Sequence, residues 1–322
     1  MKFFKQPYLF NIDLLGVCNL KCPSCPTGRR ENGIVKGTMS PETLEAILQK
    51  ADKECIIHSI GLINWTEPTL HPKLPEMVRI AKRYSKKVGL STNLNYDADF
   101  KAIMEAEPSD MRVSLSGFTQ DVYKKGHRGG DIEVVKENLK KLVKYNVSTD
   151  IALYWHNYND NGHEKQAMMD LATSLGINFH QSNAILMPVE EVMKVWRSGR
   201  EGEPGSDVGT LLPRLLEDMP HAKSECSKLK GIHCSLQTRQ LAIDSEGNVS
   251  VCCASYNTKL NLVGNFLTTP LKEIERRKND SAFCRSCKEL GAHVYVLYLR
   301  TWKDRMKSRM AHVYCGIRRH SV

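Results

Sequence analysis

No run of about 18 apolar residues occurs in this 322-residue chain, so no membrane-spanning helix is expected. The first ten residues mix apolar side chains with Lys2, Lys5 and Gln6 and lack the apolar stretch of an export signal. A cytoplasmic location is the expectation. Zinc-finger spacing, an aromatic–glycine RNA motif and a helix-turn-helix signature are also missing, which leaves no reason to expect nucleic acid. Internal repeats and low-complexity stretches are absent. Acidic residues are nearly missing at the C-terminal end, where Arg300, Lys303, Arg305, Lys307, Arg309, Arg318 and Arg319 face only Asp304. Such a basic tail is either a solvated face or a docking surface for an acidic partner.

What is present is ordinary in bulk and unusual in cysteine. Hydrophobic residues make up 41% and charged residues 25%, typical of a globular chain long enough to bury a core without staples. The formal charge is +10. Eleven cysteines in a chain of this length without an export signal point to metal ligation before disulfides.

The first two-thirds alternates strand and helix patterns. Tyr8–Leu15 reads as a strand, and Ser40-Pro41 caps a helix running towards Lys53. Strands follow at Ile56–Asn64, Val88–Thr92, Met111–Leu115, Ser148–Tyr154 and Ile177–Gln181. The helices between them are Leu74–Lys86, Ala98–Glu107, Ile132–Tyr145 and Glu164–Leu175. Six such units predict a parallel sheet covered by helices, an open partial (β/α)6 TIM-like barrel rather than the closed eight-unit form. The expected division is a barrel core over 1–197, a linker over 198–225 and a small cysteine-rich hairpin and helix domain over 226–290. A basic tail over 291–322 completes the chain.

Cys18, Cys22 and Cys25 follow directly on the first strand, at the carboxyl end where parallel sheets place their sites. A compact all-thiolate set suits an iron–sulfur cluster or zinc. Structural zinc and a [4Fe-4S] cluster each normally take four ligands, so three suggest one iron left open for a small molecule.

At this point the sequence resembles the radical S-adenosylmethionine (radical SAM) superfamily, whose C-x3-C-x2-C hallmark Cys18, Cys22 and Cys25 match. The resemblance implies that methionine's amino and carboxylate groups chelate the open iron. Reductive cleavage of SAM then gives a 5′-deoxyadenosyl radical that takes a hydrogen atom from substrate. The family's Gly-Gly-Glu-Pro-like segment reads Asn64-Trp65-Thr66-Glu67-Pro68 here, which implies cofactor contacts at Thr66 and Glu67. The paired glycines are missing; a plain strand-ending turn is the alternative. By the same resemblance Ser91 and Asn93 end the third strand as cofactor contacts, as do Ser114 and Ser116 on the fourth. Arg128 either meets a carboxylate or caps a loop. Ser24 stands where relatives carry an aromatic residue beside the adenine.

Cys234, Cys252, Cys284 and Cys287 form a second set, with Cys284-x2-Cys287 at metal-ligand spacing and the other two bracketing a hairpin signal at Asp244–Asn248. Four soft ligands close a site, which leaves zinc as one alternative. The arrangement resembles the twitch domain, a shortened relative of the SPASM domain, and implies one auxiliary [4Fe-4S] cluster. Cys253 is left over as a buried bystander, a ligand or a catalytic hydrogen-atom donor. Cys55, Cys226 and Cys315 have no partner spacing.

Only 17 residues precede Cys18, too few for the recognition domain many peptide-modifying relatives carry, so the expectation is a small polar substrate such as a sugar or aminocyclitol. Asp150, Tyr154, His156, Tyr158 and His180 are candidates to line its pocket. Oxidation and epimerisation are the competing outcomes. A peptide-modifying maturase is the second enzymatic possibility, and a zinc-stabilised binding protein the non-enzymatic one. A flavodoxin or ferredoxin-type electron donor is the expected partner for the basic surface.

Overall fold

The computed structural model describes residues 5–31, 36–199, 203, 205–257 and 260–298. Most of the basic tail, with Cys315, lies outside the described residues.

Six strands run parallel in chain order: β1 (Pro7–Ile12), β2 (Ile56–Leu62), β3 (Val88–Thr92), β4 (Asp110–Leu115), β5 (Asp150–Asn157) and β6 (Asn178–Asn183). Alternation along β1, β3 and β4 separates two faces. Tyr8, Phe10 and Ile12, then Val88 and Leu90, then Met111, Val113 and Leu115 are buried beneath the helices. Their neighbours Asn11, Gly61, Ser91, Arg112 and Ser114 line a cavity on the other face. Period-two alternation of this kind is what a sheet packed on one side and open on the other requires.

The covering helices follow the expected physics. Ser40 accepts a hydrogen bond from the Thr43 amide at 3.2 Å and Pro41 opens the helix Pro41–Glu54, which buries Leu44, Ile47, Leu48 and Ala51. Truncating one such leucine or isoleucine to alanine costs about 2–5 kcal/mol.

Three further strands extend the same sheet: β7 (Gln240–Ile243), β8 (Asn248–Ser250) and β9 (Leu262–Asn265). The order is β6-β5-β4-β3-β2-β1-β7-β8-β9, with β7 parallel to β1 and antiparallel to β8. The predicted hairpin is present, but it continues the barrel sheet. The segment expected as a linker also differs: Asp207–Leu211 and Met219–Lys228 are helical. Leu211, Leu212, Leu215, Met219 and Ala222 join Trp196 and Tyr295 in a second apolar core. The Gly- and Pro-rich start of this stretch hid those apolar residues, whose partners include the helices Val189–Ser198 and Ala292–Tyr298.

Candidate active site

The loop after β1 carries Cys18, Cys22 and Cys25 to one end of the open face. Gly28 makes its tight return possible, since a Cβ there would meet the Cys22 amide nitrogen at 2.4 Å and its carbonyl oxygen at 2.5 Å. Asn93, just beyond β3, holds the loop by donating to Asn19 Oδ1 at 3.0 Å and to Cys18 Sγ at 3.7 Å. Lys21 and Arg128 tie its middle: the Lys21 amide donates to the Arg128 carbonyl at 2.8 Å, and Arg128 Nε donates to the Lys21 carbonyl at 2.9 Å.

All three thiols line one cavity of about 850 Å³, together with Thr66, Glu67, Ser91, Asn93, Ser114, His156, Tyr158 and Cys253. Glu67 is nearly enclosed. One carboxylate oxygen accepts from the Thr69 amide and hydroxyl at 3.1 and 2.7 Å, and the other from the Asn93 amide at 2.8 Å. Burial pushes its carboxyl upward and those hydrogen bonds pull it back. The Thr92 side chain acts on the same carboxylate.

Asp13 is a site residue that sequence patterns did not single out. Its buried carboxylate accepts from the Trp65 amide at 3.0 Å, the Thr66 amide at 3.2 Å and the Thr66 hydroxyl at 2.7 Å. It thereby holds the Asn64–Pro68 segment where a Gly-Gly pair was missing. Burial raises its carboxyl to about 6 against those bonds. The only sequence signal was an acid inside an apolar strand pattern.

Two predicted residues lie elsewhere. Arg128 forms a bidentate pair with Asp207 at 2.7 and 2.9 Å and does not line the cavity. Of its two expected roles, the loop-capping one matches the geometry. Ser116 is wholly buried, 2.7 Å from His127 Nδ1, and sits behind the wall. Burial also pushes the His127 imidazole down to about 3, so it is neutral. Among the candidate pocket residues His156 and Tyr158 line the cavity. Tyr154 and His180 pack on each other at 5.1 Å, and Asp150 accepts from Asn178 at 2.7 Å. Tyr158 stands beside Ser24, with the Arg214 guanidinium 4.4 Å over its ring.

The second cysteine set forms a separate small apolar cavity lined by Cys234, Cys252, Cys284 and Cys287. The adjacent Cys252 and Cys253 divide between the two: Cys252 is among the residues lining the small cavity and Cys253 among those lining the large one. Glu190 fixes the chain beyond them, accepting from the Ser255 hydroxyl at 2.7 Å, the Tyr256 amide at 3.1 Å and Asn261 Nδ2 at 2.9 Å.

Both thiol sets fit a cluster. Burial is the main cause that pushes Cys18 to about 12 and Cys22 and Cys25 upward, and Cys22 is raised further by Cys25 and Cys18. Cys252 is raised by burial and then by Cys253, Cys287, Cys234 and Cys284. Buried thiols that oppose one another's ionisation are what bound iron would relieve. Among the described residues no three His, Cys, Asp or Glu side chains close around one point as a single ion requires. A multi-iron cluster needs a wider cradle than one ion at about 2.3 Å from sulfur.

Comparison with known proteins decides between these options. The radical SAM superfamily profile matches residues 12–171, and an iron-sulfur cluster-binding SPASM profile matches residues 234–288. The chain belongs to the radical SAM superfamily. It is therefore an enzyme whose radical SAM domain binds SAM and a [4Fe-4S] cluster, and its SPASM-like region is of the kind that carries an auxiliary cluster. The non-enzymatic zinc alternative gives way to this finding.

Individual relatives are distant. The chain is 31% identical over 143 residues to a tungsten-containing aldehyde ferredoxin oxidoreductase cofactor-modifying protein of Pyrococcus furiosus, covering 43% of this chain and 38% of that one. It is 28% identical over 185 residues to a 7,8-dihydro-6-hydroxymethylpterin dimethyltransferase of Methanocaldococcus jannaschii, covering 53% of this chain and 35% of that one. The matches thus span well under half of either relative. Among solved structures, Streptococcus suis SuiB bound to S-adenosylmethionine superimposes with a TM-score of 0.59 over 89% of this chain and 72% of SuiB, at 15% identity. That likeness shows a shared fold. No helix among the described residues is long and apolar enough to cross a membrane.

Proposed function

We propose that this enzyme is a radical maturase that epimerises a residue of a peptide substrate, with Cys253 as the hydrogen-atom donor. In this reading Cys18, Cys22 and Cys25 hold the SAM-binding cluster, and Cys234, Cys252, Cys284 and Cys287 hold the auxiliary one. Glu67 receives the cofactor's ammonium, with Thr66, Ser91, Asn93 and Ser114 as polar neighbours. The observation that carries it is that Cys253 lines the same cavity as Cys18, Cys22 and Cys25. SuiB, of the same fold over 89% of this chain, has been solved bound to a precursor peptide, SuiA, which favours a peptide over a free sugar.

When bound, cluster and SAM together supply a hydrogen-abstracting radical for each electron received. The chain's own residues then govern the outcome. Ser91, Ser114 and Asn93 present hydroxyl and amide groups rather than abstractable thiols. The Cys253 S–H breaks and a new C–H bond forms on the substrate carbon. The sulfur radical left behind takes one electron from a ferredoxin or flavodoxin-type donor and one proton from solvent, which restores the thiol. The polar walls, with Asn11, Ser59, Ser182 and Asn183 among the lining residues, favour a small polyhydroxylated substrate as the second possibility.

The test runs anaerobically in D2O with the reconstituted enzyme and a precursor peptide encoded beside its gene. The expected product carries one solvent deuterium at the inverted carbon. Cys253→Ala is expected to form 5′-deoxyadenosine with no inverted product. Full product from Cys253→Ala would remove the donor role, and a sugar converted in place of any peptide would select the second substrate class.

A further inference from the structure

The helix Leu271–Asp280 buries three side chains on one side, Leu271, Ile274 and Lys278. Two are expected of an amphipathic helix. The lysine is not. Lys278 is 1% exposed, and its ammonium donates to the Gln240 carbonyl at 2.5 Å and the Leu236 carbonyl at 3.2 Å. Among the described residues no carboxylate lies within ion-pair distance of it. A buried ammonium without an anion costs several kcal/mol, so native chains rarely keep one.

Its electrostatic neighbours are sulfurs. Burial pulls its ammonium down, and Cys252, then Cys284, Cys253 and Cys234, push the other way. The geometry agrees: Leu236, whose carbonyl the ammonium meets, and Gln237, which donates to the Lys278 carbonyl at 2.9 Å, line the small cavity with Cys234, Cys252, Cys284 and Cys287. Four thiolates around a cubane carry net negative charge, and reduction adds one more. Burial makes that charge expensive unless a cation is built in beside it.

We propose that Lys278 is the internal counter-charge of the auxiliary iron–sulfur group and holds its reduction potential up. This rests on reading Cys234, Cys252, Cys284 and Cys287 as the auxiliary ligands. Lys278 acts through the cluster and is a positioning residue for charge. It also ties the end of the turn at Ser235–Thr238 to the helix, a structural duty that any hydrogen-bond donor could perform.

The experiment separates the two roles. A full-length parent carrying Cys18→Ala, Cys22→Ala and Cys25→Ala isolates the auxiliary cluster. An EPR-monitored redox titration then compares Lys278, Lys278→Gln, Lys278→Met and Lys278→Arg. Gln keeps a donor and loses the charge. We expect Gln and Met to shift the reduction equilibrium at least tenfold towards the oxidised form, about 59 mV lower for one electron, and Arg to stay near the parent. Met serves if Gln does not fold. A neutral variant with the parent's iron content and a potential within twofold of it in equilibrium constant overturns the inference. A parent that holds no [4Fe-4S] cluster removes the auxiliary reading itself, and the inference with it.

Discussion

The two cysteine sites differ in what surrounds them. Cys18, Cys22 and Cys25 line a cavity of about 850 Å³ with mixed polar and apolar walls, while Cys234, Cys252, Cys284 and Cys287 line a small apolar one. The first has three thiols and a buried carboxylate at hand. The second has four thiols and a buried ammonium nearby. In the proposed reading the first site admits a ligand and the second keeps its contents. An active site needs an exchangeable coordination position, and a structural or electron-transfer site needs none.

The sharpest break of this comparison is ligand removal on the open side. Cys22→Ala is expected to lower 5′-deoxyadenosine formation by at least ~10³-fold, with the auxiliary iron retained, since an incomplete cluster cannot deliver the electron. Iron and sulfide counts alongside chromatography check it; activity within tenfold of wild type would end the ligand assignment.

Next in size is the closed side. Cys284→Ala is expected to lose the auxiliary iron and several kcal/mol of stability, because metal binding to a small buried site is coupled to folding. SAM cleavage without substrate should stay within about tenfold. Equal loss of cleavage in both variants would show that the two sites are not independent.

A pH experiment probes the wall of the open cavity. His127 is neutral in the fold, with its imidazole lowered to about 3 by burial and then by His156. The unfolded chain takes up that proton below the ordinary value of about 6.5, the folded one only near 3. The contribution is therefore fully present above 6.5 and lost as pH falls towards 3, with a limiting slope of about 1.4 kcal/mol per pH unit. Urea titrations at pH 7, 6 and 5 should show His127→Phe losing less stability per unit than wild type. Parallel curves would contradict a neutral buried imidazole.

The smallest effect concerns Arg128. It is half-exposed and paired with Asp207, and exposed pairs contribute at most about 1 kcal/mol. Arg128→Gln should leave SAM affinity within about threefold by equilibrium dialysis. A tenfold weaker affinity would restore the direct carboxylate contact that the structure does not show.

Much of this was legible in the chain itself. The six parallel strands fall within a few residues of their predicted limits, and Ser40-Pro41 starts its helix as expected, because hydrophobic period and capping chemistry act over a few residues. The cysteine spacing also grouped the residues that come to line the two cavities. The polar alternation of Asn11, Gly61, Ser91 and Ser114 was also visible and marks the open face, yet buried-strand patterns drew attention to the opposite side. Asp13 was not legible, since its hydrogen bonds reach Trp65 and Thr66 across the sheet. Nor was the placement of β7 beside β1, or the burial of residues 211–222 against Trp196 and Tyr295.

By itself the sequence determined which thiols group together, three after the first strand and four in the C-terminal part, and the strand rhythm that carries them. The tertiary structure decided where each lies. It put Cys253 in the wall of one cavity and Cys252 in that of the other, drew Arg128 away to Asp207, and buried Lys278 against Leu236 of the second wall. Local sequence governs donor type and spacing, whereas orientation depends on strand pairing and packing between residues up to hundreds of positions apart.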